Sequence, residues 1–248
     1  MTKYSQIAMI DILTPRSIEY YQKLREMGVN DAIIRLSTSN YSSYLEVASI
    51  HTDLAKRAGM RVHASLATDL TDPFHDARSF FATYQRLGYS FGSKTMIQCL
   101  PDDRVKDPAK KLHELLGYIS YFVNKDDIDI GVDKRYIDED RLKIADIPDY
   151  FNLTIINVNK LNSGIDRAGT WIYTDNFEGE LQYLGYDYYG FYTKEGYQLS
   201  LDAEYVAQEG DTWVTIATRH GVWLPKLLDM NDAKYEDKVV PGQRIRLF

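Results

Sequence analysis

The chain is poor in the residues that make covalent or metal staples. Its 248 residues hold one cysteine, which excludes an intramolecular disulfide and a cysteine-based zinc site. The five histidines, His51, His63, His75, His113 and His220, are scattered, and no two share a helical ligand spacing with an acid between them, so no metal or other cofactor is expected. No Ser-centred nucleophile elbow and no phosphate-cradling glycine loop is present. No apolar run approaches the roughly 20 residues a membrane span needs. The start, MTKYSQIAMIDIL, lacks the basic region and apolar core of a secretory signal, so the expectation is a protein made in the cytoplasm without a signal peptide. Excess positive charge is also missing: the net charge is −7, which favours neither nucleic acid nor an anionic membrane as partner.

What is abundant is tyrosine, 20 residues beside three tryptophans, and such rings either fill a large core or present flat faces with a hydroxyl to sugars. The first 195 residues or so alternate between short β-like runs and helical patterns. Strands are predicted at 6–13, 31–37, 60–67, 94–100 and 127–132, and helices at 16–27, 44–58, from Pro73 to before Gly88, at 108–123 and around 137–145. Three plain strands follow, at 153–158, 170–174 and 186–192. Five βα units and three strands give eight strands, the number that closes a filled barrel. The fold class is therefore α/β, an irregular TIM-like barrel, with an open doubly wound sheet as the structural rival. The last 47 residues have a different texture, a small βααβ unit over 202–248, joined to a barrel of residues 1–197 through a short junction.

The tail resembles the LysM module in four ordered blocks: YVAQEGDT, IATRHGV, LLDMN and VVPGQRIRL. The resemblance implies recognition of N-acetylglucosamine-containing glycans such as peptidoglycan, in a groove between Gly210, Asp211 and Thr212 and a second loop around Met230, Asn231 and Asp232. Capping of the first helix is a second job for the same residues. Residues 202–248 hold six basic and eight acidic side chains, so an anionic wall offers no bulk attraction and binding falls to sugar contacts.

The barrel region resembles glycoside hydrolase family 25, the Chalaropsis-type muramidases. IAMIDIL resembles the first-strand motif ending in a catalytic-site aspartate, here Asp11. GTWIYTDNFEGELQYLGYDYYGFY resembles the closing segment and brings Trp171 and Asp187 to expected positions. The family carries Asp-x-Glu on its fourth strand, with the Glu as general acid. Here that strand reads Gln98-Cys99-Leu100, and Gln98 can hydrogen-bond a sugar but cannot supply a proton. Asp102, just downstream, is the candidate substitute acid. The resemblance implies Asp11, Asp102 and Asp187 as the catalytic candidates, and Gln98, Trp171 and Tyr188 as sugar-binding ones. The expectation is a peptidoglycan-directed, lysin-like protein, inactive or rebuilt as a muramidase, that acts at the wall after release. The other reading is a phage tail or baseplate component with phage structural proteins as partners.

Overall fold

The computed structural model describes residues 5–11, 14–39, 45–89, 93–193, 204–220 and 224–247. Eight strands close a barrel in sequence order: β1 (Ser5–Ile10), β2 (Val29–Thr38), β3 (Arg61–Thr68), β4 (Thr95–Cys99), β5 (Ile128–Asp133), β6 (Asn152–Ile156), β7 (Thr170–Phe177) and β8 (Glu180–Asp187). β1 to β7 run parallel, and β8 runs antiparallel to both of its neighbours, β7 and β1. The strands between helices are buried on both faces, which explains why they read as unbroken apolar runs rather than as alternations.

The helices are α1 (Ile18–Glu26), α2 (Leu45–Arg57), α3 (Pro73–Arg86), α4 (Pro108–Ile119) and a single short turn, α5 (Lys134–Asp138). Two of them start at an Asp-Pro pair. Asp72 accepts from His75 N at 3.0 Å and Asp107 from Lys110 N at 2.9 Å, with proline fixing the first helical φ in each case. Asp107→Ala is expected to cost about 1 kcal/mol, read as a lowered urea midpoint. α4 turns Leu112, Leu115, Leu116 and Ile119 toward the sheet, one face at helical spacing.

Two sequence expectations shift. The helix expected around 137–145 is only α5 plus a 3₁₀ turn at Ile144–Asp146. The eighth strand expected at 186–192 is Glu180–Asp187, the second arm of a hairpin. Its turn, Glu178-Gly179, has φ of 52° and 85°, the two-residue geometry whose twist matches the flanking strands. On β8, Gly185 points inside the barrel. A Cβ there would stand 2.7 Å from Ile172 Cδ1, so packing requires glycine.

The barrel interior has a middle apolar layer of Ile7, Met9, Ile33, Met96, Ile156 and Ile172. A larger apolar core lies between the strands and the helices. Residues 204–247 form a separate small unit: β9 (Glu204–Val206), α6 (Trp213–His220), α7 (Leu224–Met230) and β10 (Arg244–Arg246), with β9 and β10 antiparallel. Its core is Trp213, Ile216, Ala217, Leu224, Leu227, Ile245 and Leu247.

Candidate functional site

Alternation along β1, β2 and β4 sends Ile7, Met9 and Asp11, then Ile33 and Arg35, then Met96 and Gln98 into the barrel. The last member of each set reaches the end where the parallel strands finish, which is where barrels of this kind build their sites. Arg35, only 4% exposed, is the organiser there. Its Nη2 lies 2.9 Å from Asp11 Oδ2, it donates to Gln98 Oε1, and its Nε reaches Ser65 Oγ at 3.3 Å. Burial pushes the Asp11 carboxyl up from its ordinary range, against the opposing pull of Arg35. Tyr183, opposite Met9 on β8, is raised by burial and by the nearby Asp11, Asp175 and Asp133 carboxylates.

This arrangement provides one oriented carboxylate, a guanidinium clamp and an amide. Asp11 can hold a developing positive charge, and Gln98 keeps its NH₂ end as a donor. Leu100 adds no proton donor; its backbone N–H is committed to Thr68 O at 2.8 Å. Nor does Asp102 take up that role. Arg104 grips it through Nε at 2.7 Å and Nη2 at 3.1 Å, and its own N–H adds a third bond at 2.9 Å. These bonds hold the Asp102 carboxyl down at about 2, so at neutral pH it has no proton to give.

Asp187 and Asp11 are at opposite ends of the barrel. β8 is antiparallel to β1, and its register puts Asp187 against Ser5 and Tyr183 against Met9. Asp187 is buried and accepts from the N–H groups of Phe191, Tyr192 and Thr193 and from the Thr193 hydroxyl, at 2.9 to 3.1 Å. It ties down the chain that leaves the barrel. Trp171 points outward rather than into the barrel: it is on the outer wall, donating to Asn157 O at 3.0 Å and touching Tyr173 and Tyr186. Tyr188 packs beside the C-terminal unit's core.

The floor of the barrel carries more buried charge than the mouth. Asp31 pairs with Arg61 at 2.6 Å and His63 at 3.2 Å; burial alone would raise its carboxyl, and these partners hold it lower. Asp129 accepts from Thr154 at 2.6 Å, Asn152 at 2.9 Å and Tyr192 at 2.5 Å, yet full burial raises it to about 6. A carboxyl raised on folding binds its proton more tightly in the folded chain, so stability falls as pH rises from about 4 to about 6 and stays lower above. The Asp129 contribution is about 3 kcal/mol at ~1.4 kcal/mol per unit. The melting temperature is expected to rise on going from pH 7 to pH 5, and Asp129→Asn to flatten that rise.

In the C-terminal unit the expected glycan residues are part of the frame. Asp211 Oδ2 accepts from the Tyr205 hydroxyl at 2.6 Å and from Gln208 N at 2.7 Å. Thr212 and Thr215 cap α6 reciprocally, at 2.8 and 3.1 Å. Asn231 donates to Leu227 O and Arg246 O and accepts from Arg246 N, at 2.7 to 2.9 Å, so it joins the end of α7 to β10. Met230 is half-buried against the unit's core, and Gly210 holds a φ of 84°. These side chains fix the two loops, which leaves backbone groups and the loop surfaces to meet a ligand.

Sequence reasoning missed Arg35. The signal was a lone charge at the centre of the apolar run AIIRLS, which a strand buried on both faces tolerates only if the charge is paired. Among the described residues no group of three or more potential ligands could hold a metal ion, and no helix is long and apolar enough to cross a membrane.

Residues 205–248 match the LysM domain model. The modular autolysin LytC of Streptococcus pneumoniae, solved with a synthetic peptidoglycan ligand, superposes with a TM-score of 0.58 at 15% identity, covering 73% of this chain. The present chain spans only 46% of LytC. A family 25 glycosyl hydrolase from Bacillus anthracis gives a TM-score of 0.56 at 15% identity, covering 76% of this chain and 91% of its own. The bacterial lysozyme of Streptomyces coelicolor gives 0.56 at 10% identity, covering 75% and 92%. Comparison with curated proteins found no match. The chain thus joins a barrel with the fold of the family 25 glycosyl hydrolases to a C-terminal LysM domain.

Proposed function

We propose that this is a cell-wall-directed, lysin-like protein that binds N-acetylglucosamine-containing glycan, chiefly peptidoglycan, through its LysM domain. In this reading the barrel mouth holds a glycan chain without cutting it. The observation that carries the second half is the clamp at the mouth. Arg35 engages Asp11 and Gln98 together, and neither Gln98 nor Leu100 can protonate a leaving oxygen. Glycosidic cleavage normally uses two carboxyl groups, one of them protonated, and general acid catalysis is worth about 10² to 10⁴ in rate. A single clamped carboxylate supports binding and charge complementarity, not proton transfer.

Two likenesses support this partner: LytC was solved with a peptidoglycan ligand, and the LysM match spans residues 205–248. The test is co-sedimentation of the intact protein with purified Gram-positive sacculi. Retention is expected, and soluble N-acetylglucosamine oligomers should release the protein. Failure of the intact protein to sediment would overturn the reading and favour an assembly role with other structural proteins. Asp211→Ala and Asn231→Ala are poor probes of contact, because each removes bonds that hold the module's frame. Both are expected to lower the module's melting temperature as well as its binding.

A further inference from the structure

The LysM domain sits against the end of the barrel opposite the mouth, and the seam between them is an open cleft of about 390 Å³. This end is set by strand direction: the cleft takes in Asp149–Leu153 leading into β6, Gly169 leading into β7, and Tyr189 just past antiparallel β8. Leu224, Pro225 and Leu228 of α7 supply the facing wall. The volume lies within the ~300–1,000 Å³ typical of small-molecule sites.

Arg167 lines this cleft and is 8% exposed. Its Nη2 donates to Pro148 O at 2.6 Å and Phe151 O at 3.4 Å, its Nε faces Asp149 at 3.2 Å, and its Nη1 is sealed within the protein, so the guanidinium forms part of the wall. Arg167 and Lys234 are matched by Asp149 and Glu236, so the lining attracts neither sign of charge and suits a neutral ligand. Tyr150 and Tyr235, 54% and 38% exposed, offer ring faces beside the apolar wall of α7.

We infer that this seam is a second glycan site, taking a neutral N-acetylhexosamine unit whose acetamido group lies among Lys234, Glu236 and the apolar wall of α7. An acetamido group combines a carbonyl acceptor, an N–H for Asp149 or Glu236 and a methyl for the α7 wall, and the pyranose face suits the tyrosines. The site is built by both domains, so binding there also fixes their relative position. The inference rests on the glycan-binding reading above and adds a location to it.

The test is calorimetric titration of the full chain with tri-N-acetylchitotriose and with its de-N-acetylated counterpart, for wild type, Tyr150→Ala and Tyr235→Ala. Both substitutions are at exposed rings, so folding is retained; Arg167→Ala would also free the Pro148 and Phe151 carbonyls. The expected result is a binding event that requires the acetyl groups and weakens at least tenfold in each variant. If the acetylated sugar binds but every event is unchanged in both variants, the seam site is overturned while glycan binding stands. Equal binding of the two sugars overturns the acetamido assignment. No binding by the wild type overturns the seam site and the glycan reading together.

Discussion

Arg35→Met is expected to destabilise the barrel by roughly 3 kcal/mol at neutral pH, because it strands the Asp11 carboxylate in a partly dehydrated mouth. The methionine keeps most of the side-chain volume, so the loss is electrostatic rather than a packing cavity. Asp11 is already raised by burial, and without the guanidinium it rises further, so the penalty shrinks as pH falls and the carboxyl protonates. The companion Asp11→Asn/Arg35→Met pair removes the charge along with its partner and should recover part of the loss. Urea midpoints for the two single variants and the pair measure the coupling directly. Simple additivity would contradict the clamp.

Asp187→Ala has a comparable expected cost, roughly 3–5 kcal/mol, for a different reason. It deprives three backbone N–H groups and the Thr193 hydroxyl of their acceptor in a buried site. Asp187→Asn keeps one oxygen but brings an NH₂ against N–H donors, so it should lose stability too. Neither substitution touches the mouth, and sacculus binding at a temperature where the variant is folded should be that of the wild type. Stable Asp187 variants with altered sugar chemistry would instead return this residue to the catalytic list.

The barrel was legible because its signals were redundant. Asp-Pro starts, glycine stops at Gly28, Gly59 and Gly88, and two-faced apolar runs all agree with one another over the five βα units. The hairpin was placed less well. QYLGYDYYGFY carries aromatic residues straight through the true strand end at Asp187, and periodicity alone cannot mark where an aromatic strand becomes an aromatic loop. Site residues were harder still. Asp187 lies near a strand end in sequence, but that strand runs the opposite way, so the wrong end of the barrel receives it. Direction is a long-range pairing property, and no local window contains it. Gln98 and Leu100 were readable as departures, whereas the partner that gives them meaning, Arg35, comes from a strand 63 residues earlier.

The central claim is that the mouth holds but does not cut. Its most direct test measures reducing-sugar release and sacculus binding in the same samples, with wild type beside Asp11→Asn and Asp102→Asn. Sedimentation with sacculi and release no greater than the protein-free blank, in all three, is the predicted result. Release by the wild type that disappears in either variant would contradict the account and assign a working acid to the mouth.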